Sequence, residues 1–124
     1  MAILIVFCLF APLPLWLIET LLPFPYLIEE IFKFFIVKKT PSKTNYLYPL
    51  ILGIVFSISE TMLYLTNFFL LGNFTNLINR LIFTTILHTL TFTLQYFAKN
   101  NHYLSIIMLI VSILIHYFYN LSVR

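Results

Sequence analysis

The chain has 124 residues, of which 61% are hydrophobic and 9% charged, and seven Lys and Arg against four Glu give it a formal net charge of +3. A soluble domain carries about 25% charged residues, so this composition argues against a large soluble catalytic domain and for an all-α integral membrane bundle. Its basic residues are too few and too scattered for a nucleic-acid surface, and the single cysteine, Cys8, allows neither an internal disulfide nor a thiolate metal cluster.

Taken in order, residues 1 to about 22 are nearly all apolar around Pro12 and Pro14, and without a basic leader or small-residue cleavage site they read as a retained first span. Trp16 and Glu19 suit an interface, and Leu22-Pro23-Phe24-Pro25 breaks the helix. A second helix is expected over about Phe24 to Val37; at about 21 Å it falls short of a bilayer core of about 30 Å, so it is short or tilted. Lys38-Lys39-Thr40-Pro41-Ser42-Lys43 is a polar loop that the positive-inside rule places in the cytoplasm, and Lys99 agrees from two spans later. A third span is expected over Tyr46 to about Leu71, stopped by Gly72-Asn73, a fourth over Asn76 to Ala98, and a fifth over Tyr103 to Leu121. The whole, residues 1–124, reads as a single domain of about five helices.

The informative residues are the polar ones inside these spans, because a charge at bilayer depth costs about 2.5 to 3.5 kcal/mol and normally faces a bundle interior or a wet cavity. In Glu29-Glu30-Ile31-Phe32-Lys33 the lysine reaches either carboxylate across one helical turn. Phe56, Glu60 and Tyr64 align on one face of the third span, Arg80, Thr84 and His88 on one face of the fourth, and His116 and Asn120 lie four apart on the fifth. Singly, each has a plain structural reading: an interfacial charged turn, a packing histidine, a belt tyrosine, a snorkelling arginine, a helix-end amide. Together they are accommodated most cheaply around one shared polar cavity.

Such a cavity supports water activation. A desolvated carboxylate beside like charges becomes a competent general base, and two histidines with an amide can orient water and stabilise the oxyanion formed when a peptide carbonyl is attacked. The chain has no Gly-x-Ser-x-Gly, no His-Glu-x-x-His and no Asp, which disfavours serine, zincin and aspartyl chemistries. A metal-dependent version of the site would draw on Glu60, His88 and His116 with a fourth position open for water; adjacent glutamates about 100° apart suit a base with a supporting partner better, so no cofactor is expected.

Glu29-Glu30-x-x-Lys33, Phe56-x-x-x-Glu60-x-x-x-Tyr64, Arg80 leading to His88, and His116-x-x-x-Asn120, in that order, resemble the PrsW family of intramembrane proteases, grouped with the type II CAAX prenyl endopeptidases and the multi-spanning scaffold subunit of γ-secretase. The resemblance runs from about Phe24 to Asn120. Lys33 stands one residue earlier than the Arg of the CAAX endopeptidases and Glu60 replaces a His, both pointing to the PrsW branch; Asn120 stands where that branch often has Asp. It implies a glutamate-type endopeptidase in which Glu29 or Glu30 activates water with help from Glu60 and His88, His116 and Asn120 stabilise the oxyanion, and Lys33, Phe56, Tyr64 and Arg80 support them. The expected partners are a membrane-anchored protein substrate and the lipid bilayer, with no nucleic acid, in a prokaryotic cell membrane. Two other functions fit the same cluster: a non-catalytic membrane scaffold, as in the γ-secretase relative, and a small ion or proton channel.

Overall fold

Prolines set where the first rod is interrupted. In the computed structural model, α1 (Ala2–Phe10) and α2 (Pro12–Glu19) are separated only at Ala11. Pro12 and Pro14 bring no N–H, so two bonds of the helical ladder are missing there. The coil nevertheless runs through, with the Ala11 N–H donating to the Phe7 carbonyl at 2.8 Å and the Leu15 N–H to the Ala11 carbonyl at 3.1 Å. The two segments are thus one broken helix, and the bundle has the five rods expected. The structure describes residues 2–19, 21–22, 24–41, 45–71 and 74–122, without the side chains of 19, 64, 66–71 and 74–76. The Gly72-Asn73 stop and the end of the basic loop, Ser42 and Lys43, lie outside the described residues.

Next comes α3 (Pro25–Lys38), opened by a proline whose missing N–H costs nothing at the first helical position. It ends where Thr40 turns both its N–H and its hydroxyl onto the Val37 carbonyl, at 3.0 and 2.6 Å. α4 (Leu47–Leu71) and α5 (Phe74–Ala98) follow, and α6 (His102–Ser122) is capped by Asn101, whose side-chain oxygen accepts the Leu104 N–H at 3.1 Å. The described residues are all helix and connection. Leu77–Ala98 and His102–Ser122 are each long and apolar enough to cross a membrane, and Ala2–Ile18 and Leu47–Leu63 are shorter apolar stretches.

α5 lies at the centre, packed on α4, α6 and α3; α1 and α2 lie on α4, and α3 fits between α2, α5 and α6. The α4–α5 seam is close because small residues line it. Ser57 and Thr85 join hydroxyls at 2.7 Å, and a Cβ added to Gly53 would stand 2.5 Å from Thr89 Cα and 2.6 Å from its nitrogen. Those are backbone atoms and cannot turn aside, so Gly53→Leu is expected to cost about 1–3 kcal/mol or more, as overpacking does. Reversible unfolding in mixed micelles checks it; a stability equal to wild type would mean the seam is looser than described.

At one end of the bundle two lysines exchange caps. Lys38, at the C-terminus of α3, donates to the Lys99 carbonyl at 2.7 Å and the Ser105 hydroxyl at 2.9 Å. Lys99, at the turn after α5, donates to the Thr40 hydroxyl at 2.9 Å and the Pro41 carbonyl at 3.0 Å. Each cation thus satisfies carbonyls left open by the other's helix end. The two basic connections therefore share one end of the bundle.

The distribution of side chains is inside-out. Ile3, Phe10, Leu17, Phe35, Ile82, Phe83, Ile107 and Phe118 are exposed, whereas Glu30, Lys33, His88, Thr91, Gln95 and Ser112 are buried. An apolar block of Cys8, Leu15, Val37, Leu52, Phe56 and Phe92 fills the part of the interior bordered by α1, α2, α3, α4 and α5. The polar block begins where Phe56 meets His88, ring centroids 4.9 Å apart.

Candidate functional site

Short spacings on α3 and α5, with one residue each from α4 and α6, bring the charges together. On α3, Glu30 and Lys33 are one turn apart and both are 0% exposed, while Glu29 points about 100° around the helix from Glu30. On α5, Arg80, Thr84, His88, Thr91 and Gln95 recur every three or four residues and form one polar stripe. On α6, His116 faces α3, and Glu60 of α4 reaches His88.

Lys33 is the hub. Its ammonium donates to Glu30 Oε1 at 2.5 Å, to His88 Nδ1 at 2.7 Å and to Thr91 Oγ1 at 3.3 Å. The rings of Phe56 and Phe92 lie 5.2 and 5.8 Å from it, so its remaining surroundings are aromatic faces that favour a cation. Because an ammonium can only donate, His88 Nδ1 accepts and the ring proton sits on Nε2, from which it is given to Glu60 Oε2 at 2.5 Å. Glu60 Oε1 takes Arg80 Nη2 at 3.3 Å.

The two adjacent glutamates have separate environments. Glu30 is saturated: Oε1 accepts Lys33 and also His116 Nδ1 at 3.0 Å, and Oε2 accepts the Gln95 amide at 2.9 Å. Glu29 is buried as well, its side chain 9% exposed and its Oε2 3.9 Å from His116 Nε2. Carboxylate oxygens of Glu29 and Glu60 and a ring nitrogen of His88 lie within 4.8 Å of one another. The rings of His88 and His116 are 5.6 Å apart. Exposure rises toward the end of the bundle opposite the lysine caps, with Glu60 at 14% and Arg80 at 34%.

Of the residues picked out in the sequence, Glu29, Glu30, Lys33, Phe56, Glu60, Arg80, His88 and His116 thus converge. Asn120 lies one turn beyond His116, half-buried, and no hydrogen bond ties it to the cluster among the described residues. The Tyr64 side chain lies outside the described residues. Arg80 is held by Glu60 rather than left to snorkel. Gln95, Thr91 and Ser112 are buried polar residues that sequence reading passed over; the spacing of Gln95 and Thr91 from His88 was the signal available.

A metal held by Glu60, His88 and His116, or by Glu29, Glu60 and His88, fits this arrangement poorly. Both His88 nitrogens are engaged, one by an ammonium, and His116 Nδ1 is given to Glu30. Lys33 already occupies the position of a cation among oxygen and nitrogen donors. Compared with known proteins, the chain matches no family model, no curated protein and no solved structure.

Proposed function

We propose that the chain is an integral membrane endopeptidase that uses glutamate-activated water to cleave a membrane-anchored protein. One observation carries this reading: carboxylate oxygens of Glu29 and Glu60 and a ring nitrogen of His88 lie within 4.8 Å of one another, with His116 Nε2 3.9 Å from Glu29, on the more exposed side of a buried cluster. The inside-out surface supports the bilayer, since a lipid-facing exterior can be apolar while charges are bound within. The basic loop then lies in the cytoplasm by the positive-inside rule, and the cluster opens toward the other leaflet.

In this mechanism Glu29 takes a proton from water as the water oxygen bonds to the scissile carbonyl carbon. His116 Nε2 receives that proton from Glu29 and, as an imidazolium, donates to the oxyanion together with the Asn120 amide. Collapse breaks the C–N bond and the proton leaves with the amine. Glu60 accepts from the far side of the water, His88 Nε2–H fixes the Glu60 carboxylate, and Arg80 offsets its charge. No step uses a metal.

Purified protein incubated with a single-span reporter tests the proposal. Cleavage by wild type, lost in His88→Ala and His116→Ala and kept in Glu19→Gln, is expected, and strong chelators should leave the rate unchanged. Loss on chelation with recovery on adding zinc would move the chemistry to a metal centre. A second reading, a non-catalytic membrane scaffold, draws on the saturation of Glu30 and Lys33, which bind three helices together as interhelical polar bonds do in lipid. Absence of cleavage with an intact fold would favour it.

A further inference from the structure

Gln95 belongs to none of the four motifs that carry the family resemblance, yet it is the only residue that holds Glu30 Oε2 among the described contacts. We propose that Gln95 is a positioning residue: by fixing Glu30 it sets the tautomer of His116 and leaves Glu29 as the sole water-activating carboxylate. The inference rests on the peptidase reading.

The chain of cause is short. Gln95 is 1% exposed and its amide N–H meets Glu30 Oε2 at 2.9 Å. Its orientation is fixed by chemistry, because the flipped amide would set an oxygen against a carboxylate oxygen. With Oε2 held, the carboxyl plane cannot rotate, and Oε1 stays between Lys33 and His116 Nδ1. His116 must then donate from Nδ1, since a carboxylate only accepts. Its Nε2 is left as the nitrogen that faces Glu29 across 3.9 Å and can take up a proton there. Without the amide, Oε2 becomes a second acceptor available to water, competing with Glu29, and His116 is free to exchange tautomers. Metal-bound histidines are oriented in the same way by hydrogen-bonded carboxylates, and the geometry of the contact does not depend on the metal.

Gln95→Leu and the near-isosteric Gln95→Glu test it with two readouts. In wild type, nitrogen NMR of histidine-labelled protein in micelles is expected to show neutral His116 as a single Nδ1–H tautomer; in Gln95→Leu it should show a mixture. The same variant should lower kcat on the reporter about 10- to 100-fold with KM unchanged, by analogy with the loss of outer partners at metal sites. Gln95→Glu can donate to Glu30 only while protonated, so its activity relative to wild type at the same pH, and its single tautomer of neutral His116, should be closest to wild type at the low end of the working range and fall away as pH rises. An unchanged His116 tautomer in Gln95→Leu, or unchanged kcat beside an altered KM, would overturn the role of Gln95. If wild type fails to cleave the reporter, the peptidase reading falls, while the tautomer measurement still decides whether Gln95 sets His116.

Discussion

Glu29→Gln is expected to abolish cleavage and leave the protein folded, whereas Glu30→Gln is expected to unfold it more easily, although the two residues are neighbours. The difference follows from what each carboxylate does. Glu29 faces His116 Nε2 and the Glu60 carboxylate, so an amide there removes the base and keeps the shape. General-base catalysis contributes about 10² to 10⁴ in rate, which is the loss expected. Glu30 is fully buried and its charge balances Lys33, also fully buried. Removing one member of a buried pair costs about 3–5 kcal/mol, because the other charge is left uncompensated. Turnover measured beside the unfolding midpoint separates the two. Equal stability of both variants, or turnover retained in Glu29→Gln, would contradict this division of roles.

Much of the architecture was legible because its punctuation is strong. Pro25, Pro41 and Asn101 mark helix ends by removing a donor or supplying a cap, and the observed α3, α4 and α6 begin within one residue of the expected positions. The interruption at Ala11 was present in Pro12 and Pro14. The cluster was legible for a related reason: in a chain this apolar, each buried charge demands a partner, so charges alone point to one another. Neutral polar residues demand less, since a threonine can bond its own helix, as Thr85, Thr89 and Thr93 do toward the carbonyl four residues back. That is why Thr91 and Gln95 were hidden. Which glutamate Lys33 would choose could not be read from spacing, as both lie within one turn; the choice of Glu30 depends on where α5 and α6 place His88, Gln95 and His116. The mutual capping of Lys38 and Lys99 was likewise invisible, because it depends on two helix ends, sixty-one positions apart in the chain, meeting at one end of the bundle.

Lys33→Met tests the cluster as a whole, and the informative measurement is a double-mutant cycle with Glu30→Gln. Methionine keeps much of the lysine stem's length and can remain between Phe56 and Phe92, so packing changes little. What disappears is the cation between Glu30, His88 and Thr91. The single variant leaves Glu30 ionised with His116 and Gln95 alone and leaves His88 Nδ1 without its donor, at an expected cost of about 3–5 kcal/mol. Adding Glu30→Gln removes the charge that had lost its partner, so the double variant should be far more stable than the sum of the two losses allows, with a coupling of about 2–3 kcal/mol. Simple additivity would mean that the two charges do not depend on each other. The cycle also discriminates between functions. A scaffold needs only that its helices stay together, so the repaired double variant should still occupy the same place in the membrane and bind its partner. A peptidase needs Glu30 as the anchor for the His116 proton, so the same repaired variant should fold and fail to cleave. Where wild type cleaves the reporter, stability recovered without turnover therefore marks the cluster as catalytic; where wild type does not cleave, partner binding recovered along with stability marks it as glue.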